Sequence, residues 1–253
     1  MSAPAVLVHP GQDVLAEAAA ARLVTRIADV QAARGSASVA LTGGGVGTAV
    51  LSALAACGAR DAIDWARLDV WWGDERFLPT GDPERNETGA REALLDHVPV
   101  DPARVHPMPA ADGPDGADPE VAAERYAAEL AAAAHPEDSP AAPLGFPSLD
   151  VVMLGVGPDA HVASLFPGLP ALGDDRPAVA VRDAPKPPPT RITLTFPVLR
   201  AAREVWMLAA GEAKAEAVRL GLADADRAKA PVAGARGRER TLFLLDRAAA
   251  SRL

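Results

Sequence analysis

A chain of 253 residues, 49% apolar and 23% charged, has the composition of a folded globular protein and is long enough for one large α/β domain. Its net charge of −9 without a dense Lys/Arg stripe argues against a nucleic-acid-binding face, and no apolar run approaches the ~18 residues of a membrane-spanning helix. The single cysteine, Cys57, excludes an internal disulfide, and the start Met1-Ser2-Ala3-Pro4 lacks the basic and apolar regions of a signal peptide, so a cytoplasmic location is expected.

A first short strand is expected at 6–8. Leu15, Ala19, Leu23, Ile27 and Val30 recur at helical spacing and predict a helix over 13–34, stopped by Gly35. A strand at 38–42 leads into a glycine cluster and a helix through Ala56. The third strand, 68–72, is rich in Trp; a polar loop follows, then a helix over 87–97. Asp118 and Pro119 read as the cap and first residue of a helix ending near Ala134. The Pro- and Ala-rich segment 135–147 reads as a surface connection. Residues 149–154 form the continuous apolar run of a strand buried on both faces of a parallel sheet. Strands at 178–181, 192–195 and 205–209, a helix over 212–220 and a last strand at 241–245 complete the chain. Strands alternating with helices specify the α/β class: a doubly wound, mostly parallel sheet with helices on both faces, in one domain over 1–253.

Thr42-Gly43-Gly44-Gly45-Val46-Gly47-Thr48 joins a strand to a helix. Glycines let successive backbone N–H groups turn toward one point, and the helix N-terminus adds partial positive charge, which together suit a phosphate. No lysine follows the last glycine, so this is not a Walker A loop. The competing reading is a tight turn that needs positive φ. Gly73-Asp74-Glu75-Arg76-Phe77 directly follows the Trp-rich strand, where doubly wound folds meet their ligands; a salt-bridged loop has the same sequence. Asp82, Arg85 and Asn86 suggest a turn followed by a helix cap.

Gly155, Gly157 and Ala160 match the dinucleotide pattern G-x-G-x-x-A, but Pro167-Gly168 arrives before the helix that pattern requires. A loop holding Asp159 and His161 after a buried strand reads instead as a catalytic turn, or else carries a structural histidine. Ser164 lacks a G-x-S-x-G elbow and reads as a helix hydroxyl or packing group. The five histidines show no H-x-x-x-H pairing and one cysteine cannot form C-x-x-C, so no metal site is expected. Lys186 and Arg191, flanking Pro187-Pro188-Pro189, and Lys214, after Gly211, lie at strand ends where an anion would be met. Isolated lysines are otherwise solvated.

Together these segments resemble the 6-phosphogluconolactonase family over nearly the whole chain. The resemblance rests on 42–47, Gly73-Asp74-Glu75-Arg76-Phe77 with Asp82-Pro83 and Arg85-Asn86, 155–168, and Lys186-Pro187-Pro188-Pro189-Thr190-Arg191-Ile192-Thr193-Leu194. It extends through 206–214 to 244–250. It implies hydrolysis of 6-phosphogluconolactone to 6-phosphogluconate, in the oxidative pentose phosphate pathway, with no cofactor. It implies His161 as the general base that activates water, placed by Asp159. Gly43, Gly44 and Gly45 would hold the phosphate with Arg76, Arg191 and Lys214, and Asp74 would line the site facing the sugar. The phosphorylated sugar lactone is then the only expected partner: no nucleic acid, no membrane and no obligate protein.

Two departures from the family pattern stand out. Its usual Gly-His-Thr is here Ala160-His161-Val162, which argues against a required positive φ at residue 160. Its usual Ser-Gly-Gly-Ser-Thr-Pro is here Thr42-Gly43-Gly44-Gly45-Val46-Gly47, which shifts the phosphate onto backbone amides. The alternative is the related glucosamine-6-phosphate deaminase, whose loop carries a glutamate where this chain has Phe166. A non-catalytic sugar-phosphate sensor is the third reading; the Asp159/His161 pair argues against it.

Overall fold

The computed structural model describes residues 3–134, 145–223 and 225–253. Strand β1 (Ala5–His9) leads into helix α1 (Gln12–Arg34), whose Leu15, Leu23, Ile27 and Val30 form the buried stripe their spacing predicts. Gly35 ends α1 at φ 85°, its N–H returning to Gln31 O. Strand β2 (Ala37–Leu41) feeds α2 (Gly44–Ala56). Strand β3 (Leu68–Trp72) is followed at once by a short strand, β4 (Asp74–Arg76), and then by α3 (Asn86–Ala93). Helix α4 (Pro119–Ala132) begins on Pro119, with Asp118 accepting from Glu120 N as its cap. The second half runs β5 (Val151–Gly155), β6 (Ala178–Val181), β7 (Arg191–Leu194), α5 (Phe196–Ala201) and β8 (Glu204–Ala209). Helices α6 (Ala215–Leu222) and α7 (Pro231–Gly234) and strand β9 (Arg240–Asp246) close it.

Six strands form one wholly parallel sheet in the order β1-β9-β8-β5-β2-β3. Every residue of β8 and all but the last of β5 are buried, as strands covered on both faces must be. From β2 the chain winds outward to β3, whereas from β5 it winds the other way through β8 and β9. The winding therefore reverses between the neighbours β2 and β5. Their carboxyl ends frame the crevice in which doubly wound folds bind ligands.

The structure changes several sequence expectations. The strands at 178–181 and 192–195 do not join the parallel sheet: β6, β7 and β4 form a separate antiparallel sheet in the order β4-β7-β6. Strand β4 itself falls in the expected polar loop. Charged residues read poorly as strand, and here their burial is offset by specific partners described below. The helix expected over 87–97 stops at Ala93, because Leu94 turns out of it (φ −146°, ψ −57°) and buries with Leu95. The connection at 135–147 lies largely outside the described residues; at its end Phe146 and Pro147 are buried.

One hydrophobic cluster runs through both sheets, with α1 packed on α2 and α4 covering β6 and β7. From α4, the buried Tyr126 hydroxyl accepts from Trp72 N and donates to Trp72 O, pinning the end of β3 where the chain turns into β4. No described helix is long and apolar enough to cross a membrane.

Candidate active site

A cavity of about 260 Å³ opens at the reversal point. Four adjacent strands deliver their following segments to it. After β2 comes the glycine loop, after β3 the strand β4, after β5 the loop bearing His161, and after β8 the turn bearing Lys214. Strand β7 and the turn before it contribute Arg191 and Lys186. Of the residues expected from sequence, Gly43, Gly44, Asp74, Arg76, His161, Arg191 and Lys214 line the cavity. Asp159 contacts His161, and Gly45 follows in the first turn of α2.

Gly44 sits at φ 77°, a left-handed conformation that a side chain disfavours, and α2 begins on it. Among the described residues no side chain caps this helix, and its first turn carries no acidic residue. Its leading N–H groups are thus left for an anion. The Thr42 hydroxyl accepts from Gly155 N at 3.2 Å, tying the two loops together across the crevice.

The second loop is a tight turn. Ala160 N donates to Gly157 O, and Gly157 N to His161 O. It brings His161 Nδ1 to 2.5 Å from Asp159 Oδ1. That contact assigns the Nδ1 proton to the bond with Asp159 and leaves Nε2 as the basic nitrogen. Burial opposes ionisation of Asp159, but the hydrogen bond and charge of His161, with Lys186 at 3.3 Å, hold it well below the ordinary carboxylate range. Gly157 is fixed by close approach: a Cβ there would lie 2.0 Å from His161 Nδ1 and 2.5 Å from Asp159 Oδ1.

The alanine at 160 does not prevent a positive φ. Ala160 adopts φ 65°, and Ala163 φ 50°. The turn imposes the left-handed conformation, and the chain accepts a strain on the order of 1–2 kcal/mol at each alanine. Ser164 lies in a turn and not in a helix; it is fully buried, and its hydroxyl donates to Asp74 Oδ2 at 2.6 Å. The Phe166 ring packs against the imidazole of His161 with centroids 4.5 Å apart.

Strand geometry explains the Asp74-Glu75-Arg76 sequence. Side chains alternate, so Asp74 and Arg76 reach the cavity while Glu75 points the other way, fully buried. Glu75 caps α3 from outside the helix, accepting from Asn86 N at 2.6 Å and Glu87 N at 2.8 Å, and from Arg76 N at 2.8 Å. Arg85, also buried, lies 3.8 Å away. Burial pushes Glu75 up to about 7, against the pull of Arg85 and the three N–H groups. Asn86, read from sequence as a cap, is instead the first residue of α3 and lines the cavity. Its Nδ2 donates to the Asp74 carbonyl at 2.8 Å.

Arg76, Lys186, Arg191 and Lys214 set four cations around the cavity against two carboxylates, Asp74 and Asp159. The surplus is local, in a chain of net charge −9. Burial, then the charge of Lys186, holds Lys214 below the ordinary lysine value. An anion between the two lysines would relieve that repulsion. Arg191 commits Nε to Pro188 O and Nη2 to the carbonyls of Lys186 and Pro187, so it also shapes the turn that presents Lys186. Arg76 gives Nη1 to Glu84 O, and its buried Nε has no partner among the described residues. Among the described residues no group of three or more His, Cys, Asp or Glu is arranged to hold a metal.

The chain as a whole is similar to known proteins. A 6-phosphogluconolactonase of Streptomyces coelicolor is 62% identical over 251 residues, covering 99% of this chain and 95% of that protein. One of Mycobacterium tuberculosis is 49% identical over 97% of each chain. The solved 6-phosphogluconolactonase of Trypanosoma brucei superposes with a TM-score of 0.81 at 28% identity, over 99% of this chain and 98% of that one. Residues 10–244 match the family model described as glucosamine-6-phosphate isomerases/6-phosphogluconolactonase, and the chain belongs to that family.

Proposed function

We propose that this protein hydrolyses 6-phosphogluconolactone to 6-phosphogluconate, the lactone step of the oxidative pentose phosphate pathway, with His161 as general base. The observation that carries the reading is the Asp159–His161 pair beside a cluster of four cations at the reversal point. In this mechanism Nε2 of His161 takes a proton from water as the water oxygen bonds to the lactone carbonyl carbon. Asp159, ionised and bonded to Nδ1, holds the ring in the productive tautomer and stabilises the imidazolium that forms. The tetrahedral oxyanion is stabilised by the cations, the ring C–O bond breaks, and the imidazolium returns its proton to the departing ring oxygen. A δ-lactone is a reactive ester, so the reading needs neither a covalent intermediate nor a cofactor.

The phosphate is assigned to the amides of Gly43, just before α2, and of Gly44 and Gly45 in its first turn, with Arg76, Arg191 and Lys214 around it. Asp74 accepts from a sugar hydroxyl. Deaminase chemistry is disfavoured because Phe166, packed on His161, has no proton to relay. The cytoplasm is the setting of this reading, where the lone thiol of Cys57 persists.

The test is steady-state hydrolysis of freshly generated 6-phosphogluconolactone, corrected for its spontaneous opening. His161→Asn keeps approximate size and one hydrogen bond but removes the base, so kcat falls on the order of 10²–10⁴-fold. The wild-type rate falls with decreasing pH, because the base must be neutral to accept a proton from water. An unchanged kcat with a raised KM would make His161 a binding group and sink the assignment.

A further inference from the structure

We infer that Ser164 is a positioning residue, acting through Asp74 to set the carboxylate that meets the sugar. The inference rests on the reading of Asp74 as a sugar-facing group. Ser164 has the credentials of neither a nucleophile nor a surface hydroxyl. It is fully buried, and its hydroxyl is spent on Asp74 Oδ2 at 2.6 Å, the short distance of a hydrogen bond to a charged acceptor.

Its backbone is fixed as well: Ser164 N donates to Thr193 Oγ1 at 3.2 Å, and Thr193 is the β7 residue directly opposite Asp74. Ser164 therefore sits on the Asp74–Thr193 pair, three residues beyond His161. On the other side, Asn86 holds the Asp74 carbonyl at 2.8 Å and approaches its Oδ1 at 3.4 Å. Arg191 Nη1 stands 3.9 Å from Oδ2. Asp74 is thus held at its carbonyl from α3 and at its carboxylate from the loop that carries the imidazole. The Ser164–Asp74 bond registers the His161 loop against β4, so the base and the sugar contact keep a fixed spacing.

A double-mutant cycle on the full chain tests this, with 6-phosphogluconolactone as substrate and Tm recorded for each variant so that rates are compared on folded protein. Ser164→Ala should lower kcat/KM about 10- to 100-fold, the weight of one hydrogen bond to a charged group, mainly through KM. In the Asp74→Ala background the same substitution should cost less than about 2-fold, because its target is gone. Ser164→Cys, close in volume but a weak donor, should reproduce the pattern if the alanine variant folds poorly. Equal losses from Ser164 substitution in both backgrounds would overturn the inference while leaving Asp74 as a sugar contact. Wild-type kcat/KM in Asp74→Ala alone would overturn the reading of Asp74, and the inference with it.

Discussion

His161 Nδ1 and Asp159 Oδ1 occupy the volume in which a Cβ of residue 157 would stand, so Gly157→Ala has to push the pair aside. Both lie near the surface of the loop and can move, which spares the fold and spoils the alignment. We expect kcat to fall at least 10-fold while Tm shifts by only a few degrees, checked by lactone turnover and thermal melting on the same preparation. A variant of full activity would show that the pair is not held by this contact. The sequence displayed the three residues but not why the glycine matters, since that depends on a side chain folding back onto its own turn. Ala160 is the counterpart. Its identity argued against a left-handed backbone, yet two hydrogen bonds of the turn impose φ 65°. Lys186 was visible only as one of several strand-end cations, and Asn86 only as a cap, because their roles come from partners far away in the chain.

At the scale of elements, the parallel strands were legible because each is an apolar run between turn residues, and β5 most of all. Strand β4 was not, since alternation across three charged residues means nothing until a buried partner is known for the middle one. Glu75 has that partner in the N-terminus of α3, a helix whose cap the sequence assigns to Asn86. A comparable charged junction joins β3 to α4. His106 stacks on Trp71 with centroids 3.9 Å apart, lies 2.7 Å from Glu129 and 3.5 Å from Asp69. Burial works against its charge, but the hydrogen bonds and charges of Asp69 and Glu129 outweigh it and raise His106 to about 9. A folded-state value above the ordinary 6.5 gives a contribution that is complete below 6.5 and lost as pH rises through about 9. His106→Gln should therefore lower Tm clearly at pH 6 and much less at pH 10. A Tm difference independent of pH would mean that only the stacking counts.

For the whole molecule, the alternation of strands and helices sufficed to name the doubly wound class, whereas the second sheet depends on which strands find each other across more than a hundred residues. The phosphate reading belongs to this scale, because its cations come from β4, β7 and the turn after β8. Charge-assisted hydrogen bonds to a phosphate are absent with gluconolactone, which should be poorer in kcat/KM by at least 100-fold than its 6-phosphate. Equal efficiency on the two lactones would dissolve the assignment of the glycine loop. That loop, Arg76 and Lys214 meet only when β8, β5, β2 and β3 stand side by side, and Lys186 joins them only when β7 pairs with β4, so the extended chain offers the ligand nothing comparable. On the proposed function, each bound sugar phosphate would weight the folded population by mass action, and metabolite supply would become one of the determinants of how long a copy escapes unfolding and proteolysis.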